Sequence, residues 1–135
     1  MKENKIVYRC ALLSGCLLIV AALVRGVNIN NLVIAISTGD ISKHYAEPVV
    51  IDWSFSSMLL LLMAIWIFFL SGDLRKLSRK AWIQATLIGL AFCIFGGGLW
   101  YRYPSSMHLP AFLLLGLLLL LPLLIYARHY RKPKN

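Results

Sequence analysis

The stretch VVIDWSFSSMLLLLMAIWIFFL, residues 49–70, decides the fold. From Trp53 onward it carries no charge, and as a helix it would be about 33 Å long, enough to cross ~30 Å of hydrocarbon. Three further apolar runs accompany it, at residues 10–24, 81–101 and 109–127. The chain has 135 residues, 60% of them hydrophobic and 14% charged, which leaves little sequence for a water-soluble domain. The expected fold is all-α: a polytopic membrane protein built as a four-transmembrane-helix bundle. A single integral membrane domain covers residues 1–135, with crossings at about 8–27, 49–71, 81–101 and 108–128. An outer loop at about 28–48 would carry a short interfacial helix.

The basic residues set the expected orientation. Lys2, Lys5 and Arg9 precede the first run, Arg75, Lys76, Arg79 and Lys80 separate the second from the third, and Arg128, Arg131, Lys132 and Lys134 follow the fourth. Arg25, Lys43 and Arg102 fall on the other side. Short loops rich in Lys and Arg stay cytoplasmic, so both termini are expected there, with the protein a multi-pass resident of the inner membrane. The net charge of +9 thus reads as a topology signal. Nucleic acid is not an expected partner, because no aromatic-bearing basic surface is present to bind it. Tyr8, Tyr126 and Tyr130 would lie at the cytoplasmic boundary, and Trp53, Trp100, Tyr101 and Tyr103 at the outer one. Trp66, deep in the second run, is expected to pack inside.

The first run raises two questions. Leu13-Ser14-Gly15-Cys16 matches a lipobox, but the apolar stretch before Cys16 is short and the chain stays apolar through Val24, so a retained helix is expected. Its fifteen residues span only about 22 Å. Arg9 and Arg25 can make up the difference by snorkelling, with a break where Gly26, Asn28, Asn30 and Asn31 favour turns and caps. The alternative is one helix continuing through Ile36.

Membrane helices associate through close contact of small residues. Ala85, Gly89, Cys93 and Gly97 recur every four residues along the third run, and Ala11 and Gly15 of the first are candidate counterparts. The triplet Gly96-Gly97-Gly98 should end the third helix loosely. Pro110 suits a first helical turn, whereas Pro122 lies inside the fourth run and should bend it. Cys10, Cys16 and Cys93 form no CxxC and read as packing residues.

The segment between the first two crossings is chemically the richest. After a turn at Thr38-Gly39-Asp40, a helix would place Asp40, His44 and Glu47 at i, i+4 and i+7 on one face. Two carboxylates and an imidazole can hold a metal or move a proton. His108 and Arg102 leave the bilayer on the same side, and Asp52 precedes Trp53. The competing expectation is a solvated loop ended by Pro48, held down by Arg25 and Arg102 paired with Asp40, Glu47 or Asp52. Within the crossings no ionisable residue sits at mid-depth, where proton pathways place them. Ser14, Ser56, Ser57, Gln84 and Thr86 can form interhelical hydrogen bonds.

The layout resembles the DoxX-like group of small four-helix bacterial membrane proteins. The likeness lies in the Gly15-containing first helix, the segment before the second, and a third helix ending in Gly and Arg102 shortly before Pro104. The resemblance implies a four-helix membrane fold and, since some members are linked to quinone-coupled oxidation of sulfur compounds, a redox-subunit role; no catalytic residue carries over with it. No catalytic or cofactor motif is present, so no cofactor is expected and an enzyme is not the leading reading. The leading function is an accessory or immunity-type protein that binds a membrane partner or a second copy of itself. The alternatives are an oligomeric channel or carrier lined by Gln84, Thr86 and the serines, and a quinone-linked subunit using Asp40, His44, Glu47 and His108.

Overall fold

The computed structural model describes residues 4–104 and 109–131, without the side chains of Tyr45, Leu109 and Arg131. It is all-helical among the described residues: α1 (Lys5–Ser37), α2 (Lys43–Arg75), α3 (Arg79–Arg102), α4 (Leu109–Ile125) and α5 (Ala127–Arg131). Lys5–Ser37, Ala46–Arg75 and Arg79–Arg102 are each long and apolar enough to cross a membrane. The 17-residue α4 is apolar throughout but shorter, at about 26 Å.

Two compact units divide the chain. One comprises residues 15–65, a helical hairpin formed by most of α1 and the first two thirds of α2. Here the structure corrects the sequence reading. The helix does not break at residues 26–31 but continues past Ile36 to Ser37, the alternative the sequence left open, and most of the expected loop at 28–48 is helical. Gly26 and the asparagines favour turns only by small amounts, up to ~1 kcal/mol per residue. Apolar neighbours on both sides keep the helical pattern intact. What stops α1 is Gly39, whose φ of 82° lies in the left-handed region that glycine enters without strain. Its N–H donates to Ile36 O at 3.2 Å and that of Asp40 to Ala35 O at 3.0 Å, a Schellman cap that satisfies two terminal carbonyls. Only residues 38–42 remain as connection, so the turn falls at Thr38-Gly39-Asp40 as expected. Pro48 does not end the segment. It lies inside α2, six residues from the start, where its fixed φ suits a helix and one hydrogen bond is forfeited.

The other unit comprises residues 1–14 and 66–135. Asn4 caps α1: its Oδ1 accepts the Val7 N–H at 3.2 Å and its carbonyl accepts the Tyr8 N–H at 3.2 Å. The end of α2 repeats the Schellman cap, with Leu77 N–H donating to Leu74 O at 3.1 Å and Ser78 N–H to Asp73 O at 3.0 Å. Here the left-handed residue is Leu77, at φ 60°, a conformation costing a non-glycine residue about 1 kcal/mol or more. Ser78 then caps α3, accepting the Ala81 N–H, so three residues reverse the chain.

Helix α3 packs on α4 through glycine. A Cβ on Gly116 would lie 2.7 Å from Cys93 N, 2.8 Å from Cys93 Sγ and 2.9 Å from Gly89 O. One on Gly96 would lie 2.5 Å from Leu113 N. Gly89 and Cys93 of the stripe therefore do face a helix, and that helix is α4. Gly96 makes the close backbone approach to α4, while a Cβ on Gly97 would meet Leu113 Cδ1 at an ordinary 3.7 Å. Nor does the glycine triplet loosen the helix, since α3 runs on to Arg102. Contact with the α4 backbone at Gly96 offsets the entropy that glycine loses in a helix. Phe92 and Phe112 stack beside this seam, with centroids 6.1 Å apart.

The buried residues of α2 include Leu60, Ala64, Ile67, Ser71 and Leu74, spaced three and four apart on one stripe. Trp66 falls off that stripe and is 48% exposed, so it faces outward rather than packing inside.

Gly116→Ala should destabilise the protein by about 1–3 kcal/mol through overpacking. Gly98→Ala, whose Cβ meets nothing within 4 Å, should be neutral or stabilising by up to ~1 kcal/mol. Thermal unfolding of the two variants in detergent measures the difference.

Candidate functional site

Unit by unit, the structure redistributes the polar residues singled out in the sequence. In the hairpin, Arg25 Nη1–H donates to Ser56 Oγ at 2.9 Å. The Ser56 hydroxyl in turn donates to Asp52 O at 2.8 Å. This relay joins α1 to α2 by a charge-assisted bond and sets which residues of the two helices lie side by side. Arg25 therefore holds the hairpin, as expected of it, but through a serine and a backbone carbonyl instead of a carboxylate. Ser56 is the residue that sequence reasoning undervalued; its signal was a hydroxyl close to the outer end of the second run.

Asp40, His44 and Glu47 do not line one helical face. The helix begins only at Lys43, after the left-handed Gly39, and Asp40 stays in the turn, where the Thr38 hydroxyl donates to its Oδ2 at 2.6 Å. Glu47 pairs with Lys43 at 3.5 Å on an exposed surface, where such a pair is worth little. His44 occupies the first turn of α2 and Asp52 lies along its exposed side. Arg102 ends α3 in the other unit, and His108 lies outside the described residues. Among the described residues, no three His, Cys, Asp or Glu side chains come together as a metal site.

Near the hairpin tip Val33 and Ile36 of α1 and Glu47, Val50 and Ile51 of α2 line an open groove of about 470 Å³. Its walls are aliphatic except for the single carboxylate. Val27, Val33, Ile34, Ile51 and Phe55 are all exposed, Ile51 by 70%.

Three of the polar residues expected to line a path are occupied locally. Ser14, Ser57 and Thr86 donate to carbonyls four residues earlier in their own helices, at 2.7–2.9 Å. Such bonds satisfy a hydroxyl without requiring a partner helix.

The densest polar arrangement lies in the other unit and was not foreseen. Tyr130 of α5 is 2% exposed, and its hydroxyl donates to Leu74 O at 3.0 Å. The Asn4 side chain hydrogen-bonds the same hydroxyl, its Oδ1 being engaged at Val7. The Tyr130 ring stacks on Trp82 at 6.4 Å between centroids, and the Trp82 indole N–H donates to Leu123 O at 2.9 Å. That carbonyl is free because α4 stops at Ile125, after Pro122. One tyrosine thereby joins the start of α1, the end of α2, the first turns of α3 and the end of α4. In sequence it appeared only as a boundary aromatic. Nearby, the Arg75 guanidinium lies 5.6 Å from the Tyr8 ring centroid, within cation–π range.

No family model, curated protein or solved structure matches the chain. Its class rests on its own residues: an all-α protein with three helices suited to crossing a bilayer, which suggests a multi-pass membrane protein.

Two outcomes follow from these contacts. Ser56→Ala removes the acceptor of a charged donor and should cost about 1.5–3 kcal/mol, whereas Ser57→Ala, which loses only a bond within its own helix, should leave the melting temperature nearly unchanged. Burial pushes the Tyr130 hydroxyl from 10.0 up to about 12, against the opposing effect of the Asn4 bond. Because the folded state favours the neutral hydroxyl, its contribution is complete below pH 10 and disappears as pH rises toward 12. Unfolding of Tyr130→Phe followed across that range should show a shallower loss of stability than the parent protein, from a starting point about 1–3 kcal/mol lower.

Proposed function

We propose that this chain is a partner-binding protein of the inner membrane, of accessory or immunity type, without catalysis of its own. In this reading the fourth run, about 108–128 and largely α4, makes a fourth crossing that ends before Tyr130, and both termini are cytoplasmic by the distribution of Lys and Arg. The DoxX-like layout is consistent with that four-helix arrangement.

The observation that carries the reading is the exposed aliphatic hairpin. Arg25 closes the first apolar run, and its partner Ser56, seven residues inside the second, sets the level of the membrane boundary in this reading. Beyond them α1 and α2 continue to Ser37 and back from Lys43, about 18–20 Å at the helical rise. In this reading Val33 and Ile34, beyond the first run, stand above the lipid tails. Exposed apolar patches on a membrane-anchored projection mark contact with another protein. The groove between Val33, Ile36, Val50 and Ile51 suits an apolar side chain or helix face.

Native mass spectrometry of the protein extracted gently from its own membrane tests this. A second polypeptide at fixed stoichiometry, lost in Ile51→Asp or Val33→Asp, is the expected result. A homo-oligomer unaffected by those substitutions would move the reading to a channel or carrier. A monomer retaining quinone would move it to the redox role implied by the DoxX-like resemblance.

A further inference from the structure

The contacts around Tyr130 gather charges that lie far apart in sequence. The Asn4 and Tyr8 contacts place Lys5 and Arg9 on the first turns of α1 beside the end of α2. That end carries Arg75 and Lys76, and the three-residue reversal leads at once to Arg79 and Lys80. Tyr130 brings α5, with Arg128, against Leu74. All of these cations are on exposed positions, Arg75 over the Tyr8 ring, and Asp73 is the one acid among the described residues of this unit. Four helix ends thus carry cations around a single buried tyrosine. Like charges gathered at helix ends that share one contact residue repel one another, and anions among them relieve that repulsion.

The geometry points to a headgroup site: this end of the protein binds anionic phospholipid, its phosphates seated among Arg9, Arg79, Lys80 and Arg128 while the acyl chains lie along the exposed apolar faces. The recognising chemistry is a phosphodiester held by guanidinium and ammonium groups. A lipid is favoured over free phosphate because the cations adjoin apolar surface that only a lipid can cover. The site is independent of the hairpin and of any protein partner there.

Each cation near an anionic membrane surface is worth about fivefold in affinity. The test uses the full chain in nanodiscs of phosphatidylcholine with increasing phosphatidylglycerol, read as lipid retained on gentle release into native mass spectrometry and as thermal stability. Phosphatidylglycerol should be retained in preference to phosphatidylcholine and should raise the melting temperature, whereas inorganic phosphate should do neither. Arg79→Gln/Lys80→Gln should lower the preference about 25-fold, and Arg128→Gln, from a different helix, should lower it further. Lys43→Gln in the hairpin should leave it unchanged. Equal retention of the two lipids, the same stabilisation from inorganic phosphate, or an undiminished preference in the α3 and α5 variants would each overturn the site.

Discussion

The hydroxyl of Tyr130 is the point on which one unit of this protein turns. A helix terminus leaves four backbone carbonyls without partners, and in an apolar setting each unsatisfied group costs free energy. Leu74 O meets that requirement twice, from Leu77 N–H and from the Tyr130 hydroxyl. The same hydroxyl is bound by Asn4, the residue that caps α1. A single oxygen therefore serves the start of one helix and the end of another, and its ring fixes Trp82 of a third. Removing it affects several helix ends together, because each cap is completed by a group belonging to another element.

The α3–α4 seam obeys a different constraint. Without water to drive apolar surfaces together, membrane helices gain from close van der Waals contact, and only glycine allows backbones to meet as Gly96 meets Leu113 and Gly116 meets Cys93. Close approach fixes the height of α4 on α3. The end of α4 at Ile125 then leaves the Leu123 carbonyl for the Trp82 indole N–H. The indole bond, the ring stack and the Tyr130 latch thus follow in order from the glycine contact. Pro122 lies inside α4 and costs the hydrogen bond to the carbonyl four residues before it, whereas the Leu123 carbonyl is available because the helix ends at Ile125.

Apolar run length made the long helices legible in the sequence, and the small-residue stripe of α3 was legible as a packing face. Helix limits were less so. Gly26 and three asparagines carry real turn preference, yet each is worth less than the contacts of a continuous hairpin, and only a position that adopts positive φ, Gly39, ends the helix. The Asp40, His44 and Glu47 pattern assumed a helix starting one turn too early, and a shift of three residues moves Asp40 off the face. Trp66 was misplaced for a related reason: depth along a helix says nothing about direction around it, which the three-and-four spacing of Leu60, Ala64, Ile67 and Ser71 determines. The Tyr130 latch depends on contacts between residues 4, 74, 82 and 130, and no local pattern encodes pairings over such separations.

Hairpin and latch units give the protein two surfaces of opposite character, one aliphatic and one cationic. The account depends most on the claim that Tyr130 secures several helix ends at once, and native-state hydrogen exchange tests it most directly. In Tyr130→Phe the amides of Val7, Tyr8, Leu77 and Ser78 should lose protection together, while those at the α3–α4 seam around Gly89 and Cys93 keep theirs. Unchanged protection at residues 7, 8, 77 and 78, or a uniform loss across the whole chain, would contradict it.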